Sequence, residues 1–129
     1  MIGHVLLVAA GGALGSALRY VVAVVALAWL GPSFPWGTLA VNLVGSFLIG
    51  LVQQAATEAL VIGEDARLFL TAGVMGGLTT YSAFSYESVR LFETGATWQA
   101  WLNVVVTTAA CLTVCLLGLA TGRALFAPR

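Results

Sequence analysis

Charged side chains are scarce in this 129-residue sequence, making up 8% of it against 60% hydrophobic residues. A soluble domain carries about a quarter charged residues, because its whole surface faces water. Lysine is absent, and five arginines balance five acidic residues to a net charge of zero. A basic patch for nucleic acid or anionic headgroups is therefore excluded, and lipid is the expected solvent of the chain.

Histidine and cysteine are almost as rare, which limits the available chemistry. His4 is the only histidine, so one chain cannot ligate haem through two histidines, and no nucleophile–base–orienter set can be assembled. We expect no enzyme. Cys111 and Cys115 lie four residues apart in an apolar run, and without a second pair they indicate packing residues rather than a disulfide framework or a metal site. The first residues lack a basic segment, so the first apolar stretch is expected to remain as a helix rather than be cleaved as a signal peptide.

Long apolar stretches are what the sequence does contain. Four of them reach the roughly 20 residues that cross a bilayer as a helix. Prolines and a glycine in 31–35 end the first, and a polar loop at 57–67, which includes Glu58, follows the second. We predict an all-α membrane protein with four transmembrane helices in one domain, at about residues 2–30, 36–56, 68–92 and 98–126. Four tryptophans mark the ends of these stretches, where indole rings prefer the interface: Trp29, Trp36, Trp98 and Trp101.

The arginines give little indication of orientation. Four spans place both termini on one side, together with Arg67, Arg123 and Arg129. Arg90 falls on the other side, as does Arg19 if it lies near the end of its helix. The excess of positive charge that marks cytoplasmic loops is therefore weak. Insertion in both orientations is compatible with this distribution.

The small size of the chain favours an oligomer. A bundle of four helices fills its own core with side chains, so a path for a solute requires more than one copy. Small residues four apart let helix backbones approach closely in lipid, and they recur here as Gly11/Gly15, Gly12/Ser16 and Ser46/Gly50. Contact between subunits and packing within one subunit both remain open as their role.

Polar side chains stand inside two of the predicted spans. Arg19 lies in the first, where a charge is costly and marks a functional candidate. It either acts electrostatically on an anion or has the structural role of an arginine that reaches the interface or joins two helices. In the second span, Asn42, Ser46 and Gln53 share one helix stripe at about 100° per residue. Their neutral donors favour an anion path, or else hydrogen bonds between helices.

The centre of the third stretch is unusually polar and rich in glycine. Residues 73–87 read GVMGGLTTYSAFSYE, and adjacent glycines and hydroxyl residues weaken a helix. Irregular backbone is tolerated at membrane depth only inside protein or along a cavity, where freed carbonyls can bind a cation. Tyr81 and Phe84 share a face, and aromatic ring edges carry positive partial charge. We predict a broken third helix beside a site, with a flexible kink as the alternative.

The fourth stretch carries a row of small polar residues at four-residue steps, namely Asn103, Thr107, Cys111 and Cys115. This row either forms a polar track facing the stripe of the second span or consists of side chains that bond back to their own helix.

Three patterns occur in order along the chain. They are GGxxGxxxRY at 11–20, GTLxVNxxGSFxxG at 37–50, and GGLTT at 76–80 followed by YSAF at 81–84. With these patterns and four spans in the same order, essentially the whole chain resembles the Fluc family of small bacterial fluoride channels.

The resemblance implies a fluoride-selective channel of the cell inner membrane, built as an antiparallel, dual-topology homodimer with two pores. It lets fluoride leave the cytoplasm down its electrochemical gradient. A structural sodium ion (Na⁺) at the dimer centre is implied, held by backbone carbonyls at the positions of Gly76 and Thr79. The implied pore positions are Asn42, Tyr81, Ser82, Phe84, Glu87 and Thr107, and the family's first-span arginine matches Arg19.

The chain departs from the family pattern at four positions. Tyr81 stands where phenylalanine is usual, and Ala83 replaces a usual threonine. Asn103 stands where tyrosine is common, and Cys111 where a small or hydroxyl residue is usual. These departures bear on the roles of single residues.

The main alternative is a small four-helix, proton-coupled multidrug antiporter. Such a protein needs a carboxylate inside its first span to exchange protons for a cationic drug. Here Arg19 occupies that span, and Glu87 is the only acid within a predicted span. The expected partners are therefore fluoride, a second copy of the chain and the lipid bilayer, with no nucleic acid.

Overall fold

The computed structural model describes residues 1–57 and 61–126, and all regular structure in these ranges is helical. Glu58 and Arg129, which entered the expectations for the polar loop and the arginine distribution, lie outside the described residues. The elements, in chain order, are α1 (Ile2–Leu30), α2 (Trp36–Thr57), α3 (Glu64–Leu68), a π-helical segment (Phe69–Met75), α4 (Gly76–Leu78), α5 (Tyr81–Glu93) and α6 (Thr97–Phe126).

Within the described ranges, three helices are long and apolar enough to cross a membrane, namely α1, α2 and α6. In the most apolar stretch of α1 only 6% of residues are buried, and in that of α6 only 11%. Such long, outward-facing apolar surfaces are incompatible with a water-soluble monomer, because they far exceed the patches that soluble proteins expose. The chain is a membrane protein.

The connection between α1 and α2 is short and sharply turned. Gly31 ends α1 with a φ of 77°, and its N–H donates to the carbonyl of Leu27. A residue with a side chain rarely adopts this φ, so glycine is needed there. Phe34 is buried and packs its ring against that of Trp36, with 4.7 Å between the centroids. This packing fixes the loop at the start of α2.

The region between residues 64 and 93 is built from short helical pieces. The π-helical segment follows α3 directly, and α4 adds a single turn that ends at Leu78. Thr79 and Thr80 then have extended backbones, with φ and ψ of −78° and 154° and of −152° and 109°. The irregular backbone thus begins at Phe69, before the two adjacent glycines that predicted a break. The sequence did not indicate this earlier start, because a π-helical turn has no side-chain signature of its own.

The glycines of α1 bring its backbone directly against this region. A Cβ atom at Gly11 would lie 2.6 Å from the carbonyl oxygen of Phe69, and one at Gly15 would collide with the carbonyl of Val74. A Cβ at Gly77 would collide with the carbonyl of Gly12. These contacts all lie within one chain, so packing within a subunit accounts for the glycines at positions 11, 12, 15 and 77.

A second close seam joins α2 and α6. A Cβ at Gly50 would lie 2.5 Å from the carbonyl oxygen of Cys115, and one at Gly118 would collide with the carbonyl of Phe47. Between the seams, a small apolar cluster forms from Val41, Val74, Met75 and Leu78. This cluster packs α2 against the π-helical segment and α4, which places Asn42 next to Thr80.

Candidate functional site

The site is built around the two extended residues between α4 and α5. Thr80 is buried, and its hydroxyl oxygen accepts a hydrogen bond of 3.1 Å from the N–H of Ala83. Threonine is a favoured helix N-cap because its oxygen satisfies a backbone donor that has no partner within the helix. Thr80 therefore starts α5 inside the protein. At the end of α4, the hydroxyl of Thr79 instead donates to the carbonyl of Met75 over 2.8 Å.

Asn42 of α2 holds this break through both ends of its amide. Its Oδ1 accepts a hydrogen bond of 2.7 Å from the N–H of Thr80, and its Nδ2 donates to the carbonyl of Thr80 over 3.2 Å. Asn42 is buried, so an unpaired backbone group facing it would carry a large desolvation cost. The side chain acts as a substitute for the peptide group that a continuous helix would offer to Thr80.

The hydrogen bond to Asn42 has a consequence for the carbonyl of Gly76. In a continuous helix, the N–H of Thr80 would donate to that carbonyl, four residues earlier. Here it donates to Asn42, while the N–H of Thr79 donates to Met75. Gly76 is exposed, and a Cβ built on it has its nearest neighbour 3.7 Å away. A carbonyl without its helical donor, on an exposed residue, could serve as a ligand of a hard cation bound by backbone oxygens.

A cavity of about 290 Å³ lies on one side of the break. We call it the neutral cavity, because every residue that lines it is uncharged. Its lining combines amide and hydroxyl groups with two aromatic rings and is made of Asn42, Ser46, Thr79, Thr80, Tyr81, Phe84, Thr107, Thr108, Cys111 and Leu112.

The two aromatic rings differ in their surroundings. Phe84 is 9% exposed, whereas Tyr81 is 80% exposed in the single chain. Their centroids are 5.5 Å apart and their planes are inclined by 51°. A tilted pair of this kind turns ring edges, which carry positive partial charge, toward neighbouring groups. The buried ring of Phe84 is thus a fixed wall of the neutral cavity, and the ring of Tyr81 lies at its outer side.

Behind the neutral cavity, a hydrogen-bonded relay connects α6 to α5. Thr107 donates to Oδ1 of Asn103 over 3.0 Å, and Nδ2 of Asn103 donates to the hydroxyl of Ser88 over 2.9 Å. Ser88 donates in turn to the carbonyl of Phe84 over 2.7 Å. Asn103, Thr107 and Ser88 are all buried. The polar row of the fourth stretch is therefore bonded to α5 through Asn103.

A second cavity, of about 330 Å³, lies on the other side of Thr80. We call it the charged cavity, since both Arg19 and Glu87 line it together with Thr38. Oε1 of Glu87 accepts a hydrogen bond of 2.8 Å from Thr38, while Oε2 is buried and has no hydrogen-bond partner among the described residues. A wider pocket that shares Thr38 and Glu87 with it extends to the loop before α2. The charged cavity is thus continuous with one end of the bundle.

Comparison with known proteins identifies the family. The sequence profile of the family described as CrcB-like protein, Camphor Resistance (CrcB), matches residues 6–119 of the chain. The chain belongs to the CrcB/Fluc family.

Curated members of the CrcB/Fluc family align with nearly all of this chain. A protein of Agrobacterium fabrum named fluoride-specific ion channel FluC is 47% identical over 123 residues, covering 95% of this chain and 98% of the relative. A protein of the same name from Geobacter sulfurreducens is 45% identical, with 94% and 98% covered. A third, from Rhizobium meliloti, is 45% identical, with 95% and 98% covered. These relatives are named as ion channels, which are not enzymes.

In this CrcB/Fluc chain, the structure brings together some of the predicted site residues and separates others. Asn42, Tyr81, Phe84 and Thr107 line one cavity, as does Thr79. Glu87 and Arg19 line the other. Ser82 lines neither and is exposed, with its hydroxyl 3.3 Å from that of Thr80. Of the predicted stripe on α2, Ser46 lines the neutral cavity with Asn42, and Gln53 does not.

Three polar residues of the site were not singled out from the sequence. Thr80 caps α5, Thr38 binds Glu87, and Ser88 links Asn103 to α5. Thr38 lies four residues before Asn42 and thus on the same stripe, which is a signal that could have identified it. Ser88 lies four residues after Phe84, a spacing that could equally have indicated its role. Nothing in the spacing distinguishes Thr80 from Thr79 as the cap.

Proposed function

We propose that this protein is a fluoride-selective channel. Relatives of 45% and 47% identity over nearly the full chain are named fluoride-specific ion channels. The observation that carries the proposal is the neutral cavity at the break, where uncharged amide and hydroxyl side chains and a buried aromatic ring line one space. A conducting path must bind its ion strongly enough to admit it and weakly enough to release it. Neutral donors meet both requirements.

The chemistry of fluoride explains why such a lining is selective. Fluoride is small and strongly hydrated, so its lost water must be replaced by closely spaced donors. Asn42 uses one N–H of its amide on Thr80, and an amide NH₂ group carries two. Within the neutral cavity, the second N–H of Asn42, the hydroxyl of Thr107 and the ring edges of Tyr81 and Phe84 are the proposed replacements. Ser82, which does not line this cavity, is proposed as a donor along the fluoride path outside it. A larger, weakly hydrated anion gains less from them.

The charged cavity serves, in this proposal, as the approach to the neutral one. Arg19 lines it and attracts anions, and Glu87 with its bound Thr38 lines both this cavity and the outer pocket. Because Thr80 borders both cavities, an anion that reaches it passes from one to the other along the break. Glu87 is thus proposed as a residue of the fluoride path outside the neutral cavity.

The proposed assembly is an antiparallel homodimer with dual topology and two pores. In each copy, α3 to α5 form a fourth transmembrane span that is broken at Thr79 and Thr80. The outer face of α5 supports a partner, since it leaves large side chains uncovered: Tyr81 is 80% exposed, Tyr86 67% and Val89 55%. A second copy would cover this face and close the outer side of the neutral cavity beside Tyr81.

A structural sodium ion at the dimer centre belongs to the same proposal. The carbonyls of Gly76 and Thr79 would hold it, contributed by both copies. The ion would supply fixed positive charge beside the two pores and bind the copies together. We predict that exchanging sodium for choline during purification dissociates the dimer, as measured by size-exclusion chromatography with light scattering. A dimer that is indifferent to sodium would contradict this assignment.

The proposed role in the cell is fluoride export across the inner membrane. Protonated fluoride crosses lipid, ionises in the cytoplasm and leaves through the channel down its gradient, so that intracellular fluoride falls. Proton-coupled drug antiport is the alternative outcome, since Glu87 is an acid with an unpartnered oxygen inside the bundle. It is less well supported because Arg19 lines the same cavity and would repel a cationic drug.

Efflux from proteoliposomes tests the proposal. Vesicles loaded with fluoride or with chloride are diluted into impermeant anion, and release is started by dissipating the membrane potential with valinomycin. We expect rapid fluoride release and little chloride release. Equal release of the two anions, or no release of fluoride, would overturn the proposal. Proton-driven uptake of a cationic dye by the same vesicles would instead establish the antiporter.

A further inference from the structure

Asn103 is the most completely buried large side chain of the described residues, with 1% of its surface exposed. Its amide lies between Thr107 on its own helix and Ser88 on α5 and bonds to both. A buried amide needs partners at both ends, because an unpaired polar group in an apolar interior is costly. The relay from Thr107 through Asn103 and Ser88 to the carbonyl of Phe84 provides them.

The direction of this relay determines what Thr107 offers to the neutral cavity. Thr107 lines that cavity, but its hydroxyl proton is donated away from it, to Oδ1 of Asn103. A hydroxyl group has one proton and two lone pairs, so the side facing the cavity carries lone pairs. Lone pairs repel an anion. In the observed arrangement, Thr107 is therefore not a donor to fluoride.

The amide of Asn103 can also make the relay in the opposite direction. Its oxygen and nitrogen ends are nearly equal in size, so a half-turn about the terminal torsion exchanges them without new space. Nδ2 would then donate to Thr107, and Ser88 would donate to Oδ1. The proton of Thr107 would become free to bind an anion in the cavity. Both arrangements contain three hydrogen bonds once the anion is bound.

We propose that Asn103 is a positioning residue that turns the hydroxyl proton of Thr107 toward fluoride by reversing this relay. The inference rests on the proposed channel function. Asn103 stands where the family commonly has tyrosine. In this proposal it acts through Thr107 and not by direct contact with the ion. This role also explains why Asn103 is bonded to the helix that carries Phe84.

A double-mutant cycle on fluoride efflux tests the proposal. Asn103→Leu keeps the size of the side chain but removes both ends of the amide, and Thr107→Val removes the hydroxyl without changing the shape. We expect Thr107→Val to slow efflux by about tenfold or more, since a hydrogen bond to a charged group is lost. We expect a similar loss in Asn103→Leu, since without the amide the hydroxyl of Thr107 bonds back to a carbonyl of its own helix. The double variant should be no slower than either single variant. Thr113→Val, whose hydroxyl bonds only to the Ala109 carbonyl of its own helix, is the matched control and should leave efflux unchanged.

Several outcomes of the cycle would overturn the proposal. A purely structural role for Asn103 predicts multiplied losses in the double variant, because the Ser88 contact is lost independently of Thr107. Wild-type efflux in Asn103→Leu would also refute it. Absence of fluoride efflux from the wild-type protein would refute the proposed function itself, whereas a fluoride-conducting wild type with multiplied losses refutes only the role of Asn103.

A second measurement avoids any dependence on the folding of Asn103→Leu. The side-chain amide resonance of Asn103 is followed by NMR in ¹⁵N-labelled protein in detergent and assigned from its loss in Asn103→Asp. Fluoride should shift this resonance in the wild type but not in Thr107→Val, and chloride should shift it in neither. A resonance that ignores fluoride in the wild type would exclude reversal of the relay.

Discussion

The two cavities beside Thr80 are of similar volume but opposite chemistry. The neutral cavity is lined by amide, hydroxyl and aromatic groups, and the charged cavity contains both Arg19 and Glu87. Full charges act over long distances and do not depend on close fit, so Arg19 attracts any anion and the carboxylate of Glu87 repels any anion. Neutral donors act only at hydrogen-bond distance. In the proposed channel, Arg19 of the charged cavity attracts anions, whereas the neutral cavity discriminates fluoride from other anions.

This division has a structural basis in the break itself. The backbone of Thr80 is held by Asn42 from the neutral side, and its side chain caps α5. An extended pair of residues at this depth is stable only when its peptide groups have partners. Changes in the neutral cavity should therefore affect both rate and selectivity, while changes in the charged cavity should affect rate alone.

Asn42→Leu should have the largest effect. It leaves the buried N–H of Thr80 without a partner, which costs about 1–3 kcal/mol, and it removes the amide donor from the carbonyl of Thr80. We expect fluoride efflux to fall by about a hundredfold or more, with a lower midpoint of thermal unfolding. Gln53→Leu, which removes the same group from the same helix outside the cavity, is the control. Normal efflux in Asn42→Leu would show that Asn42 is not part of the fluoride path.

Phe84→Ile should have a smaller effect and should change selectivity. It retains most of the buried apolar volume but removes the ring edge, which is worth about 0.5–1.5 kcal/mol in aromatic contacts. We expect fluoride efflux to fall by about tenfold while the protein keeps its oligomeric state. Tyr81→Phe keeps its ring and serves as the matched comparison. Efflux that is insensitive to Phe84→Ile would refute the role of the ring edge.

Substitutions in the charged cavity should change the rate in opposite directions. Arg19→Gln removes a charge that attracts fluoride and should slow efflux. Glu87→Gln removes a charge that repels fluoride, keeps an acceptor for Thr38 and should accelerate efflux. We expect each change to be about threefold to fivefold at the effective dielectric of a protein. The ratio of fluoride to chloride efflux should not change in either variant. A loss of selectivity in Glu87→Gln would move discrimination into the charged cavity.

Much of the helical arrangement could be predicted from the long apolar stretches and from the residues that end them. The prolines after Leu30 and the long apolar runs predicted where α1, α2 and α6 lie, because a chain in lipid must satisfy its backbone within helices. The π-helical segment was not predicted, since the composition of Phe69–Met75 does not indicate a π-helix. The segment depends on the close packing of its backbone against Gly11 and Gly15, which is a tertiary contact that local sequence does not indicate.

The site was predictable as a set of residues but not as two separate spaces. Helix periodicity relates Asn42 to Ser46 and Tyr81 to Phe84, since each pair lies on one element. It cannot relate Glu87 to Arg19, which line one cavity only because α1 and α5 each pack against α2. The direction of each hydrogen bond also depends on the folded arrangement, as Thr107 illustrates by donating to Asn103 rather than into the cavity.

The two cysteines of α6 provide the most direct test that fluoride passes through the neutral cavity. Cys111 lines it, and Cys115 does not. Single-cysteine chains, Cys115→Ser and Cys111→Ser, are treated with methyl methanethiosulfonate, addition of one thiomethyl group is verified by mass spectrometry, and fluoride efflux is measured. Modified Cys111 should slow efflux by about tenfold or more, because extra atoms in a packed lining cost about 1–3 kcal/mol, and modified Cys115 should leave it unchanged. Full modification of Cys111 with undiminished efflux would contradict the account.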